Sequence, residues 1–221
     1  MTNVSTPKKS NLRSRLFQIG QEVLEKDGWE VERVAGLGKG SVRRITRGKE
    51  TMLVSIRTSQ DQYLAFPRTL DDKEWNTLGI VDAVVAVSVN DREAPTTAKV
   101  HFLEGDEVRR RFDLGYKARR EAGHSLPVGR GMWLPLYLPH AEEPTYQVGG
   151  GLGLDFPPIA EVSLSKPDTV QPLPEDGHDL PVEAEPVLAE PCQPLTIVEA
   201  KRQLAEVFGV SPEQVKITIE A

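Results

Sequence analysis

Apolar residues change their period several times along the chain, and each change marks an element. Leu12, Leu16, Ile19, Val23 and Leu24 recur at helical spacing, so a helix is expected from an N-cap at Ser10 to the helix-ending Gly28. Trp29–Val34 alternates as a strand, and Ala35–Gly40 is a glycine-rich connection. Ser41–Arg57 reads as a β-hairpin turning at Arg47-Gly48-Lys49-Glu50. Its second arm places Met52, Val54 and Ile56 on one face and Leu53, Ser55 and Arg57 on the other. Tyr63–Phe66 is a short apolar run ended by Pro67, and Trp75 is expected to fold back onto the core. Ile80–Val89 is apolar at nearly every position and rich in valine, the pattern of a strand covered on both sides. Ala98–Leu103 is a further strand. A helix follows from Asp106 to Ala122, closed by Gly123, with Val108, Phe112 and Tyr116 as its inner stripe. Met132–Leu138 is a strand whose Pro135 points to a sheet edge.

From His140 to Pro194 the periodicity fades, apart from a run at Ile159–Leu164 that can form a short strand. Prolines, acids and the triple glycine Gly149-Gly150-Gly151 dominate, a composition that buries too little to offset ordering and that predicts a tether. Order returns at Leu195. Thr196–Glu199 is a capping box, Ile197, Ala200, Leu204 and Phe208 make an apolar stripe, and Val215, Ile217 and Ile219 alternate. One helix and one strand cannot enclose a core, so this piece is expected to dock on its own body or on another chain. The expected organisation is a disordered 1–9, a core domain over 10–139, an acidic linker over 140–194 and a docking element over 195–221.

Composition sharpens this division. The formal net charge is −6, but it is segregated. Residues 1–139 hold 23 Lys and Arg against 18 Asp and Glu, whereas 140–194 hold one lysine against 11 acids. A mildly basic body with an acidic strap is the picture that bears on partners. The one cysteine, Cys192, excludes an internal disulfide and a multi-cysteine metal site. No apolar run approaches the roughly 20 residues of a membrane span, and MTNVSTPKKS has no apolar stretch behind its lysines. A soluble, cytoplasmic protein with no membrane partner is expected.

The order helix, strand, hairpin, buried strand, strand, helix over 10–139 resembles the PD-(D/E)xK nuclease superfamily. TMLVSIRTSQ is similar to its third strand, and VDAVVAVSVN followed by AKVHFLEGDEVRRRF to its later strands and helix. The resemblance implies an α/β (α+β) fold, a restriction-endonuclease-like mixed sheet flanked by helices. It also implies where a metal site would lie, and there the residues depart from the family. The acid-x-lysine position holds Ser55-Ile56-Arg57, and SVRRI offers Arg43 and Arg44 where an aspartate is expected. A hard dication needs carboxylate oxygens, and arginine stays protonated. Glu22 matches an acid that some members use, and Asp61 lies further along the third strand.

Three readings follow. The first is a non-catalytic nuclease-like protein, in a setting of phage defence or mobile elements implied by the resemblance alone. It binds nucleic acid through Lys39, Arg43, Arg44, Arg57, Arg109, Arg110, Lys117 and Arg120 and needs no cofactor. Against it stands a solvated surface balanced by Glu30, Glu32, Glu50, Asp113 and Glu121. The second reading is a protein–protein adaptor or inhibitor, or a homodimer, acting through Leu195–Ala221. The third is a Mg²⁺-dependent nuclease with a relocated site at Glu22 and Asp61. The more modest expectations are an ion pair between Glu22 and a hairpin arginine, and a polar loop role for Asp61. His101 and His124 have no ligand partner at metal spacing. Gly36–Ser41 lacks the Ser or Thr that a P-loop needs after Lys39.

Overall fold

The computed structural model describes residues 7–34, 36, 40–126 and 129–164. Lys39, the linker beyond residue 164 and the element at 195–221 lie outside the described residues. The chain is mixed α/β, with a curled six-stranded sheet and few helices. Helix α1 (Pro7–Lys26) begins three residues ahead of Ser10 and so takes in part of the segment expected to be disordered. Strands β1 (Glu30–Arg33), β2 (Val42–Arg47) and β3 (Glu50–Ser59) form an antiparallel meander. The meander includes the expected hairpin, with Gly48 at φ 63° in its turn. Strand β5 (Ala83–Val89) pairs parallel to β3, and β6 (Thr97–Glu104) pairs antiparallel to β5.

A parallel neighbour requires a crossover. Here it runs through β4 (Tyr63–Pro67), a loop carrying Trp75 and a 3₁₀ turn at Leu78–Ile80. All seven residues of β5 are buried, which is why valine can occupy both of its faces. Helix α2 (Gly105–Glu121) follows β6 directly, and β7 (Gly131–Pro135) pairs with β4 in a separate two-stranded sheet.

The sheet separates two cores. On one side Leu16, Phe17, Ile19, Val23 and Leu24 of α1 pack on Val54, Ile56, Val85 and Val87. On the other, Val108 and Phe112 of α2 meet Leu64 and Phe66 of β4, Trp75, and Met132 and Leu134 of β7. Phe112 takes Phe66 and Trp75 edge-on, each at 5.2 Å between ring centroids.

Residues 140–164, expected to belong to the tether, are instead part of the fold. They form a 3₁₀ turn at Thr145–Gln147, a one-turn α3 (Leu152–Asp155) and β8 (Ala160–Ser163); Leu152 and Phe156 pack on the second core, Ala160, Val162 and Leu164 on the first. Strand β8 pairs antiparallel to β6 and completes the sheet order β1-β2-β3-β5-β6-β8. The triple glycine, which reads as flexibility in sequence, is a packing device. A Cβ on Gly149 would fall onto the Arg111 carbonyl oxygen, and one on Gly150 would lie 2.9 Å from the Pro135 ring. With the boundary moved to 164 the body holds 23 basic residues against 22 acidic ones, and its expected basic excess nearly vanishes.

Candidate nucleic-acid interface

Side chains paired across neighbouring strands point to the same face of a sheet, so the register fixes where each hairpin arginine goes. Arg43 lies opposite Val54 and faces α1. Its guanidinium sits 4.8 Å from the Phe17 ring centre and donates to the carbonyls of Gly40 (2.7 Å) and Val42 (2.9 Å). Burial, helped by the charge of Arg33, lowers its pKa. Arg57 lies opposite Ala86 and faces α2, its guanidinium 4.4 Å from the Phe66 ring centre. Arg44 shares that face but is exposed. Four residues along the strand put it about 13 Å from the level of Arg57. The three hairpin arginines expected in one nucleic-acid interface are therefore spread over two faces, and two of them are buried.

The cations of α2 divide in the same way. Arg109 donates to the carbonyls of Leu78 (2.6 Å) and Val81 (3.0 Å) and to Asp106. Arg110 makes a two-pronged pair with Glu107, at 2.7 and 2.6 Å. Lys117 is within 3.8 Å of Glu121. Two further arginines, not singled out in the sequence, turn inward. Arg111 donates to the Gly150 carbonyl, Asp155 and Glu107, and Arg119 to the Trp133 carbonyl. These side chains hold irregular segments to the helix by satisfying carbonyls that no strand or helix would otherwise pair. Their helical spacing from Val108 and Phe112 is the signal that could have found them: 108, 111, 112, 115 and 119 form one buried stripe.

The acids of the relocated-nuclease reading are also engaged. Glu22 pairs with Arg15 of its own helix at 3.1 Å, where a hairpin arginine was the expected partner. Asp61 accepts from Ser59 Oγ at 3.2 Å and from the Tyr63 N–H at 3.3 Å, the behaviour of a turn residue. Ser55 is fully buried between Val42 and Val84, and its hydroxyl has no hydrogen-bond partner among the described residues. A serine and a cationic arginine do not fit a hard dication. Among the described residues no three His, Cys, Asp or Glu side chains are grouped to hold one.

One cationic cluster does reach solvent. Arg68, Tyr116, Leu126, Arg130, Gly131 and Met132 line a shallow cleft between α2, β7 and the loop after β4. Arg68 lies between the rings of Trp75 and Tyr116, at 4.9 and 4.8 Å, and donates through Nε to Asp72 at 3.0 Å. The Tyr116 hydroxyl donates to the same carboxylate at 2.6 Å. That hydrogen bond holds the Asp72 pKa down and pushes the Tyr116 pKa up. The Arg120 charge also acts on Asp72 and Tyr116. Arg120 and Arg130 are exposed, and neither makes an ion pair among the described residues. Arg68 and Arg120 thus act on Asp72, and Arg130 lines the cleft beside Tyr116. Among the described residues no helix is long and apolar enough to cross a membrane.

No protein-family model, no curated protein and no solved structure matches this chain.

Proposed function

We propose that the chain is a non-catalytic, restriction-endonuclease-like protein that binds the phosphate backbone of nucleic acid through the cleft beside Tyr116. The single observation carrying this reading is the grouping of Arg68, Arg120 and Arg130 about Tyr116, where Arg68 is paired with Asp72 while Arg120 and Arg130 are exposed and in no ion pair among the described residues. Support for the nuclease-like core is the order α1, antiparallel β1-β2-β3, then β5 parallel to β3. Support for the lack of catalysis is the donor set at Ser55 and Arg57, which suits no divalent cation. The interface differs from the one expected in sequence: Arg43, Arg57 and Arg109 are structural, and Arg120 alone of the earlier set belongs to the cluster. A footprint of about three phosphates gives weak, sequence-independent affinity, with a log–log salt slope of about −3 on duplex DNA.

The test is fluorescence anisotropy with labelled single- and double-stranded oligonucleotides at low and moderate salt. Binding that weakens with that slope and is lost in an Arg120→Glu/Arg130→Glu variant is expected. Absence of binding at low salt, or binding indifferent to the double substitution, overturns the assignment.

A further inference from the structure

The tryptophans of the chain are used in different ways. Trp29 and Trp75 are buried, and their indole N–H groups donate to Asp27 at 3.2 Å and to Asp113 at 2.8 Å. Trp133 of β7 is 38% exposed. Among the described residues its indole makes no hydrogen bond and no ring contact. A buried tryptophan needs a partner for its polar tip, whereas one at a binding surface keeps ring and N–H open.

The register explains why this indole faces outward. Strands β4 and β7 form a ribbon whose inner face carries Leu64, Phe66, Met132 and Leu134 into the second core. Alternation then puts Ala65, Gly131 and Trp133 on the outer face, with Trp133 directly opposite Ala65. Its neighbours there are small. A Cβ on Gly131 would lie 3.5 Å from Ala65 Cβ and 3.9 Å from Trp133 Nε1. The backbone beneath the indole is held: the Trp133 carbonyl accepts from Nη2 of buried Arg119 at 2.7 Å. A rigid strand thus presents an aromatic ring over a low floor.

The ring stands beside the cationic cleft. Gly131 and Met132, the two residues before Trp133, line that cleft with Arg68, Tyr116 and Arg130. Arg130 is three residues from Trp133, so their Cα atoms are at most about 11 Å apart. Phosphates on one strand recur about every 3.4 Å of stacked rise, and a strand held at Arg130 reaches the indole within about three nucleotides. An exposed aromatic alone fits many ligands. With exposed Arg120 and Arg130 next to it, the surface fits an anion that carries flat rings. Duplex bases stack on each other and hide their faces, whereas unpaired bases offer them to an aromatic side chain whatever the sequence.

We propose that the surface beside Tyr116 takes single-stranded nucleic acid, an unpaired base stacking on Trp133 while Arg120 and Arg130 hold the flanking phosphates. The inference rests on the phosphate-binding reading above and adds to it the form of the strand. The ligand chemistry is an unpaired base on a phosphodiester chain, common to DNA and RNA.

Fluorescence anisotropy of the full chain tests this with four labelled probes: oligothymidylate, oligouridylate, a DNA duplex, and an abasic phosphodiester strand of the same length. The base-bearing single strands are expected to bind about tenfold or more tighter than the abasic strand, the worth of one stacked base. The tighter of the two distinguishes DNA from RNA. Trp133→Ala should remove that advantage and leave duplex binding unchanged, and Trp133→Phe should keep most of it. Arg120→Glu/Arg130→Glu should weaken every probe. Equal binding of abasic and base-bearing strands overturns the stacking inference while the phosphate-binding reading stands. So does indifference to Trp133→Ala, or an equal loss on the duplex. Absence of binding to every probe at low salt overturns both.

Discussion

The two faces of the sheet are closed by different means. Against α1 the closure is almost wholly apolar: one helix lays a stripe of five large side chains on valines and isoleucine, with Arg43 as the buried cation. Against α2 the cover is a patchwork of β4, β7, a loop and the segment carrying Leu152 and Phe156. Arg57, Arg111, Arg119, His101, Ser55, Ser59 and Ser88 are all buried there. A regular helix satisfies its own backbone and can present hydrocarbon alone. Irregular cover brings unpaired carbonyls with it, and buried side-chain donors must meet them. Arg109, Arg111 and Arg119 are that answer, which is why an arginine-rich helix here is mostly structural.

The largest expected difference between the faces comes from one substitution made on each. Gly20 on α1 approaches the sheet so closely that an added Cβ would lie 2.9 Å from Val87 Cγ2 and 3.0 Å from Ile56 Cγ2. Both neighbours are side-chain methyls that can shift, and alanine gains about 1 kcal/mol of helix propensity. Overpacking costs about 1–3 kcal/mol, so Gly20→Ala should be destabilising by no more than about 2 kcal/mol. Gly149 has φ 82°, and its added Cβ meets a backbone carbonyl that α2 fixes in place. Left-handed strain of about 1–3 kcal/mol adds to that clash, so Gly149→Ala should cost about 3 kcal/mol or more. Urea denaturation of both variants checks the ranking; equal costs would erase the proposed contrast.

A smaller effect separates the faces by pH. Hydrogen bonds from Arg110 first, and then Arg111, bring the Glu107 pKa down to about 2. A depressed carboxyl pKa stabilises the fold above the unfolded value near 4.5 and loses that contribution as pH falls through 2. Glu107→Gln should cost about 1–2 kcal/mol at pH 7, as expected for hydrogen bonds to a charged group. That deficit should be constant down to about pH 5 and shrink below it. Thermal denaturation of both proteins from pH 7 to pH 3 measures it. A deficit that shrinks between pH 7 and 6 would contradict the assignment of Glu107.

How legible these faces are in sequence follows the same divide. The stripe at Leu12–Leu24, the alternation across the hairpin and the valines of β5 each carry a period. Their elements fall close to where that period predicts. Residues 140–164 carry none. Their order comes from partners far along the chain: Arg111 for Gly150 and Asp155, His101 for Phe156, and β6 for β8. Glycine contacts and long-range side-chain bonds look, in one dimension, like the composition of a tether. Only the run at Ile159–Leu164 betrayed an element there, β8. Alternation also shows that Arg43 and Arg44 point to opposite faces, but not that Arg43 would be covered by Phe17. A count of cations cannot say which ones a fold consumes, and the basic excess of 1–139 dissolves once residues 140–164 are added.

The smallest expected effect is the most discriminating for function. Arg120 and Arg130 are exposed and make no ion pair among the described residues, in contrast to Arg109 of α2 and to its inward-facing Arg111 and Arg119. Surface substitutions away from packing and paired charge usually change stability by less than about 0.5 kcal/mol. Arg120→Glu and Arg130→Glu should therefore shift the melting temperature by no more than about 2 °C in a body of this size. Arg120 acts on Asp72 and Tyr116 through its charge, and Arg130 lines the cleft beside Tyr116. Calorimetry of the two variants decides between a retained binding surface and a third group of structural arginines. A loss above about 1 kcal/mol in either would place these side chains with Arg111 and Arg119. The cleft beside Tyr116 would then be one more joint in the patchwork cover.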